Sequence, residues 1–290
     1  MDVRTTHGAL LSRLLPGDEP DGLPVRQGQF HTVVIGSERV VRLPRTPAAA
    51  ARLSGGAAVL RALAGLGLGV RTPRPLALGG TETPYLVLTR VPGEPLPDGA
   101  LDDARVAAVV AAQYAALLEA LARAGAEGPA RTALPRARAD RWRRFAVDVR
   151  AGLFPLMSGH GRRRAERELA AVDGLPRLTG AVVHGDLGAE NVLWEWADGL
   201  PRLAGVIDWD GAELGDPAED FAAVGAGHGA GFLAQVLALG AAPDGRGLKG
   251  SDDLMARIAA IRGTFALQQA LAALHDGDDE ELADGLAAYR

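Results

Sequence analysis

Two short apolar runs in this chain each stop at a carboxylate, and an amide stands between them. The first is Val182-Val183-His184-Gly185-Asp186, followed by Leu187 to Glu190 and then Asn191-Val192-Leu193. The second, Val206-Ile207-Asp208-Trp209-Asp210, begins fifteen residues after Asn191. Brief β-branched runs read as short buried strands, and the polar residues at their ends read as tips and turns. Taken singly, Asp186 is an Asx-turn aspartate, Asn191 a turn residue before a strand and Asp208 a strand-end carboxylate. Taken together, they offer one carboxylate able to accept a hydroxyl proton and two oxygen donors suited to a hard divalent cation. That combination fits a phosphoryl-transfer site, with Asp186 positioning the hydroxyl and Asn191 and Asp208 holding Mg²⁺ on a nucleoside triphosphate.

The spacing His-x-Asp-x-x-x-x-Asn is that of a protein-kinase catalytic loop. In its His184-Gly185-Asp186 form, followed by Ile207-Asp208-Trp209-Asp210 and Gly215-Asp216-Pro217, it resembles the aminoglycoside and macrolide phosphotransferase family. The resemblance extends along nearly the whole chain, but only residues 182–220 carry specific motifs. It implies an α+β, bilobal, protein-kinase-like fold and transfer of the γ-phosphoryl of ATP or GTP to a hydroxyl of an antibiotic-like acceptor, an aminoglycoside or a macrolide. It also implies that His184 supports the loop backbone and that Asp220 braces it. Trp209 reads as core packing, and Asp210 as a second acid near the metals or toward the acceptor. A metabolic acceptor of the homoserine, choline or fructosamine kind is the alternative substrate. A non-catalytic nucleotide-binding module is the alternative class.

The chain's 290 residues, 48% of them hydrophobic, suffice for one or two packed domains. A net charge of −5 gives no basic footprint for nucleic acid, and the absence of cysteine excludes disulfides and thiolate metal sites. No uninterrupted run of about 18 apolar residues and no signal-peptide pattern is visible, so a cytoplasmic protein without a membrane partner is expected. Lys249 is the only lysine, which points to compositional bias toward arginine.

The first ninety residues read as strands plus one helix. Residues 32–36 and 39–43 suggest a hairpin, 47–66 a helix with Leu53, Ala57, Leu60 and Leu63 on one face, and 85–89 a strand. Pro92-Gly93-Glu94-Pro95-Leu96-Pro97 is a breaker cluster. It suggests a nucleotide-binding lobe over 1–91, a hinge over 92–99 and a helical lobe with catalytic loop and acceptor site over 100–290. Helices are expected at 102–123, 136–149, 162–172, 229–239, 251–275 and 278–289, with one starting at Asp216-Pro217. The acidic run Asp276 to Glu281 reads as a solvated helix start rather than a cation trap.

Arg42 in Val40-Val41-Arg42-Leu43-Pro44-Arg45 stands where the resemblance expects a phosphate-gripping lysine, and some family members read Leu-Arg-(Ile/Leu)-Pro-Arg there. Between Arg39 and Thr81 there is no Asp or Glu to orient it. Arg42 is therefore oriented by another lobe or by the nucleotide, or is a surface arginine. Gly28, in Gly28-Gln29-Phe30-His31, falls where a nucleotide-covering loop belongs, or is a plain hairpin turn. The resemblance also implies that Leu88 to Val91 present backbone groups to the purine.

Overall fold

The computed structural model describes residues 3–28, 30–126, 128–240 and 252–290. Gln29 and Lys249 lie outside the described residues. In chain order the elements are α1 (Val3–Leu14), β1 (Val25–Gln27), β2 (His31–Ile35), β3 (Arg39–Pro44), α2 (Pro47–Ala64), β4 (Pro75–Gly79) and β5 (Tyr85–Thr89). Then come α3 (Ala104–Ala126), α4 (Gly128–Ala133), α5 (Arg141–Gly152), α6 (Gly159–Asp173), β6 (Ala181–Val183), β7 (Val192–Ala197), β8 (Leu200–Val206) and β9 (Glu213–Gly215). The remainder is helical: α7 (Ala218–His228), α8 (Ala230–Leu239), α9 (Asp252–Gly263), α10 (Phe265–Asp276) and α11 (Asp279–Gly285). The class is α+β.

The chain divides into two compact units, each discontinuous in sequence. The first comprises Met1–Val110, Gly128–Leu134 and Glu190–Ala212. Its main sheet is antiparallel in the order β1-β2-β3-β5-β4. Val34, Val41 and Val87 are buried on one face of it, against Leu11 and Leu15 at and just beyond the end of α1. The turn between β2 and β3 is held by the Asp18 carboxylate, which accepts the Ser37 N–H at 3.0 and 3.1 Å. Helix α2 opens on Thr46, whose hydroxyl accepts the Ala49 N–H, with Pro47 at its first position. A second hairpin joins β7 to β8 through Asp198 and Gly199, both at positive φ (53° and 74°), the backbone that a two-residue turn of this hand requires.

The second unit comprises Ala111–Glu127, Pro135–Ala189 and Glu213–Arg290. Val149, Leu153, Leu169, Leu267 and Tyr289 bury one another at its centre. Strands β6 and β9 pair antiparallel, Val182 opposite Leu214. Helix α3 passes so close to β6 that a Cβ on Gly125 would lie 2.3 Å from the Ala181 carbonyl carbon. Only glycine fits that crossing.

The hairpin, α2 and β5 lie where the residue pattern puts them. Other elements differ, each for a local reason. Helix α1 and strands β1 and β4 add to the single helix and the strands expected in the first ninety residues. Helix α5 begins at Arg141, not Arg136, because residues 136–137 run alongside β9: Ala137 N–H donates to the Leu214 carbonyl at 2.9 Å. The single helix expected over 251–275 is two, broken at Thr264, whose hydroxyl donates to the Ile261 carbonyl at 2.7 Å. Helix α3 is long and apolar enough by composition to cross a membrane, but Val106, Val110, Tyr114, Leu117 and Leu121 are buried within the protein. Its apolar stripe is a core face.

Candidate active site

In the second unit, β6 delivers the chain into the loop His184-Gly185-Asp186. Asp220, in the first turn of α7, holds that loop. Its Oδ2 accepts the His184 N–H at 2.9 Å and its Oδ1 accepts the Gly185 N–H at 3.1 Å. Burial pushes the Asp220 carboxyl up to about 7, against the downward pull of those two N–H groups. His184 is fully buried, and its Nδ1 accepts the Asp186 N–H at 3.2 Å, which leaves its proton on Nε2. Asp186, with its backbone so pinned, has an exposed side chain.

Asp186 borders a cavity of about 200 Å³ whose wall includes Arg141, Glu219, Ile261, Phe265 and Gln268. Arg141 Nη1 donates to Glu219 at 2.6 Å and to Glu213 at 3.3 Å. Burial raises the carboxyl pKa of both glutamates, and Arg141 opposes the rise. Glu219 stands in the first turn of α7, where its local sequence reads as no more than a helix start. Its place beside Asp186 becomes visible once α5 and β9 are folded around it. Asp216 does cap α7, accepting the Ala218 N–H at 3.0 Å, and also pairs with buried Arg257 at 2.8 Å.

In the first unit, the β7–β8 hairpin brings Asn191 and Asp208 to one end. The Ile207 N–H donates to the Asn191 carbonyl at 2.9 Å, one residue before Asp208. Asp208 is left-handed (φ 63°, ψ 57°), a conformation that aspartate tolerates better than most side chains. Trp209 anchors this turn: its ring is 1% exposed and its Nε1 donates to the Val206 carbonyl at 2.9 Å. An amide oxygen and a carboxylate make an all-oxygen donor pair suited to Mg²⁺. Among the described residues no three His, Cys, Asp or Glu side chains converge into a closed metal cage. A pair of protein donors completed by substrate phosphates is the usual way such an ion is held.

Arg42 has its carboxylates after all. Its Nη1 donates to Asp210 Oδ1 at 2.7 Å and its Nη2 to Asp208 Oδ1 at 3.0 Å. Burial works to lower the Arg42 pKa, but the two carboxylates outweigh it and hold it above its ordinary value. His31 Nδ1 lies 3.8 Å from Asp210 Oδ2. Burial first, then Arg42, lower the His31 pKa, so this contact joins a carboxylate to a neutral ring. Gly28 is exposed, and its carbonyl accepts from Arg45 at 2.8 Å. Leu88 lies within the ladder, paired with Val40 on one side and Pro75 on the other, and Val91 stands just beyond the strand. Both side chains are buried.

The chain as a whole is similar to known proteins. The sequence model of the phosphotransferase enzyme family matches residues 23–261. Viomycin phosphotransferase of Streptomyces vinaceus is 61% identical over 294 residues, covering 100% of each chain. Among solved structures, the GDP complex of wild-type aminoglycoside 2'-phosphotransferase-IIIa superposes with a TM-score of 0.81 at 20% identity, covering 99% of this chain and 97% of that one. Macrolide 2'-phosphotransferase type I gives a TM-score of 0.70 at 25% identity, covering 100% and 98%. The structural likeness establishes a protein-kinase-like fold, and the family match over most of the length, with a close relative aligned end to end, establishes the lineage: the chain belongs to the phosphotransferase enzyme family.

Proposed function

We propose that this protein is an antibiotic O-phosphotransferase that moves the γ-phosphoryl of ATP or GTP to a hydroxyl of viomycin or a close analogue. The observation that carries the acceptor is the end-to-end identity of 61% with viomycin phosphotransferase. In this reading residues 1–91 serve the nucleotide, 92–99 form the link, and 100–290 supply the catalytic loop and the acceptor site. Gly28 lies in the covering loop, and Leu88 and Val91 flank the segment that meets the base. The GDP bound to one solved relative supports a purine nucleotide as donor.

Asp186 is the group that receives the acceptor's proton. As the hydroxyl oxygen forms its bond to the γ-phosphorus, its proton passes to the Asp186 carboxylate. The bond from the γ-phosphorus to the bridging oxygen breaks, and the nucleoside diphosphate leaves with that electron pair. Phosphoryl transfer through a loose transition state depends mainly on positioning and on charge stabilisation. Asp220 and His184 supply positioning by fixing the Asp186 backbone. Arg42 supplies fixed positive charge for the phosphates. Asn191 and Asp208 are the residues that would hold Mg²⁺, which when bound neutralises phosphate charge. In the cavity beside Asp186, Glu219 and Gln268 offer acceptors for a polar, cationic substrate, and Phe265 and Ile261 offer an apolar wall.

The test is turnover of viomycin with each nucleotide by wild type and by Asp186→Asn. The variant is expected to keep nucleotide affinity and to lose about 10²- to 10⁴-fold in kcat, the usual contribution of a positioned base. Wild-type-like turnover by the variant would remove Asp186 from the mechanism. Phosphorylation of a cellular metabolite but of no antibiotic would replace the acceptor.

A further inference from the structure

We infer that Asp210 is a positioning residue for nucleotide binding, taking the role that a helix glutamate plays in orienting the phosphate-gripping cation of a kinase. The inference rests on the phosphotransferase reading above, and it answers a gap in the sequence. No acidic residue occurs between Arg39 and Thr81, so α2 has none to give Arg42. What α2 presents instead is the bare backbone of Gly56. A Cβ built there would stand 4.0 Å from Asp210 Oδ1, in ordinary contact. The carboxylate that the helix lacks is supplied from the turn after β8, into the space that the glycine leaves open.

The geometry divides the labour between the two aspartates. A guanidinium has five N–H donors in a rigid plane, so bonds at two different nitrogens fix its orientation as one contact cannot. Arg42 spends one donor of Nη1 on Asp210 and one of Nη2 on Asp208. Three donors remain for phosphate oxygens. Asp208 is the carboxylate assigned to Mg²⁺, and its attention is divided once a metal–nucleotide binds. Asp210 carries the shorter contact, at 2.7 Å against 3.0 Å, and is the partner assigned to Arg42 alone. Its other oxygen lies beside His31, a neutral ring that leaves the carboxylate's charge to the arginine.

The experiment is a double-mutant cycle with a second-site rescue. Binding of ATP and GTP is measured calorimetrically in EDTA, so that Arg42 is read without any metal, and steady-state KM and kcat are then measured with Mg²⁺. Asp210→Ala and Arg42→Ala are each expected to weaken metal-free nucleotide binding by about tenfold, and the double variant by little more than either alone. KM for the nucleotide should rise while KM for the acceptor stays put. Gly56→Glu is expected to restore most of the affinity in the Asp210→Ala background. In the wild-type background it should weaken binding, because it sets a second carboxylate against Asp210. Asp210→Asn, which keeps the shape, serves if the alanine variant unfolds.

Additive effects, or a fall in kcat with nucleotide affinity unchanged, would overturn the inference while leaving the phosphotransferase reading intact. Wild-type protein that binds neither nucleotide would overturn that reading and the inference with it.

Discussion

Asp220 is a buried carboxyl that holds the His184–Asp186 loop by two backbone N–H groups, and its protonation has a measurable consequence. Burial pushes its pKa in the folded protein up to about 7, above the ordinary aspartate value of 3.8 that holds in the unfolded chain. The folded state therefore holds this proton more tightly than the unfolded state. The stability it contributes is fully present below about pH 4 and is lost as pH rises through about 7. Asp220→Asn removes the titration. The stability difference between wild type and variant, measured by urea unfolding, should shrink across that window by up to about 1.4 kcal/mol per pH unit. A flat difference from pH 4 to 7 would show Asp220 ionised throughout. At this scale the strand and turn that carry His184 and Asp186 were legible in sequence, because an apolar run that stops abruptly at polar residues reads as a short strand followed by a loop. Arg42's partners were not. Asp208 and Asp210 lie 166 and 168 residues away, and no local pattern reports a pairing at that separation. Glu219 was hidden differently: a helix-start glutamate explains itself locally, and only the fold sets Arg141 and the cavity beside it.

Elements were legible where periodicity was strong and ends were marked. The β2–β3 hairpin alternates over a short Gly-Ser-Glu connection, and α2 is framed by Thr46-Pro47. The Asp198-Gly199 turn demands its own geometry. Helix α1 was overlooked because Thr5, Thr6 and Gly8 are poor helix formers, although Leu11, Leu14 and Leu15 already had the spacing of a buried face. The break between α9 and α10 had a signal in Gly263-Thr264, overridden by the apolar residues on either side. Helix α7 has the most consequential start, since it carries Glu219 and Asp220. Asp216 both caps it and neutralises Arg257, and the two side chains are each only 9% exposed. Asp216→Ala loses the cap and strands a buried guanidinium, with the surface residue Asp253 as its remaining carboxylate. The expected cost is about 2–4 kcal/mol of unfolding free energy, read from denaturant midpoints. A change below about 1 kcal/mol would mean that Arg257 reaches water when its partner goes.

For the whole molecule, nucleotide binding is the property that ties the site to the fold. A TM-score of 0.81 at 20% identity says that the kinase-like architecture tolerates very different sequences, so architecture alone does not guarantee a working site. Ligand that binds only the native state raises its stability by mass action, about 2.7 kcal/mol at a hundredfold excess over Kd. With non-hydrolysable ATP and GTP analogues, wild type should show a rise in unfolding temperature that grows when Mg²⁺ is added, because Asn191 and Asp208 then contribute through the ion. Asp208→Asn should keep the metal-free part of the rise and lose the increment. The two parts separate Arg42 and the carboxylates that orient it, which act without a metal, from the ion-holding role proposed for Asn191 and Asp208. The larger rise of the two analogues identifies the donor. An increment that survives in Asp208→Asn would move the metal to other ligands, and no rise with either analogue would leave the loop over residues 184–191 without a nucleotide to act on.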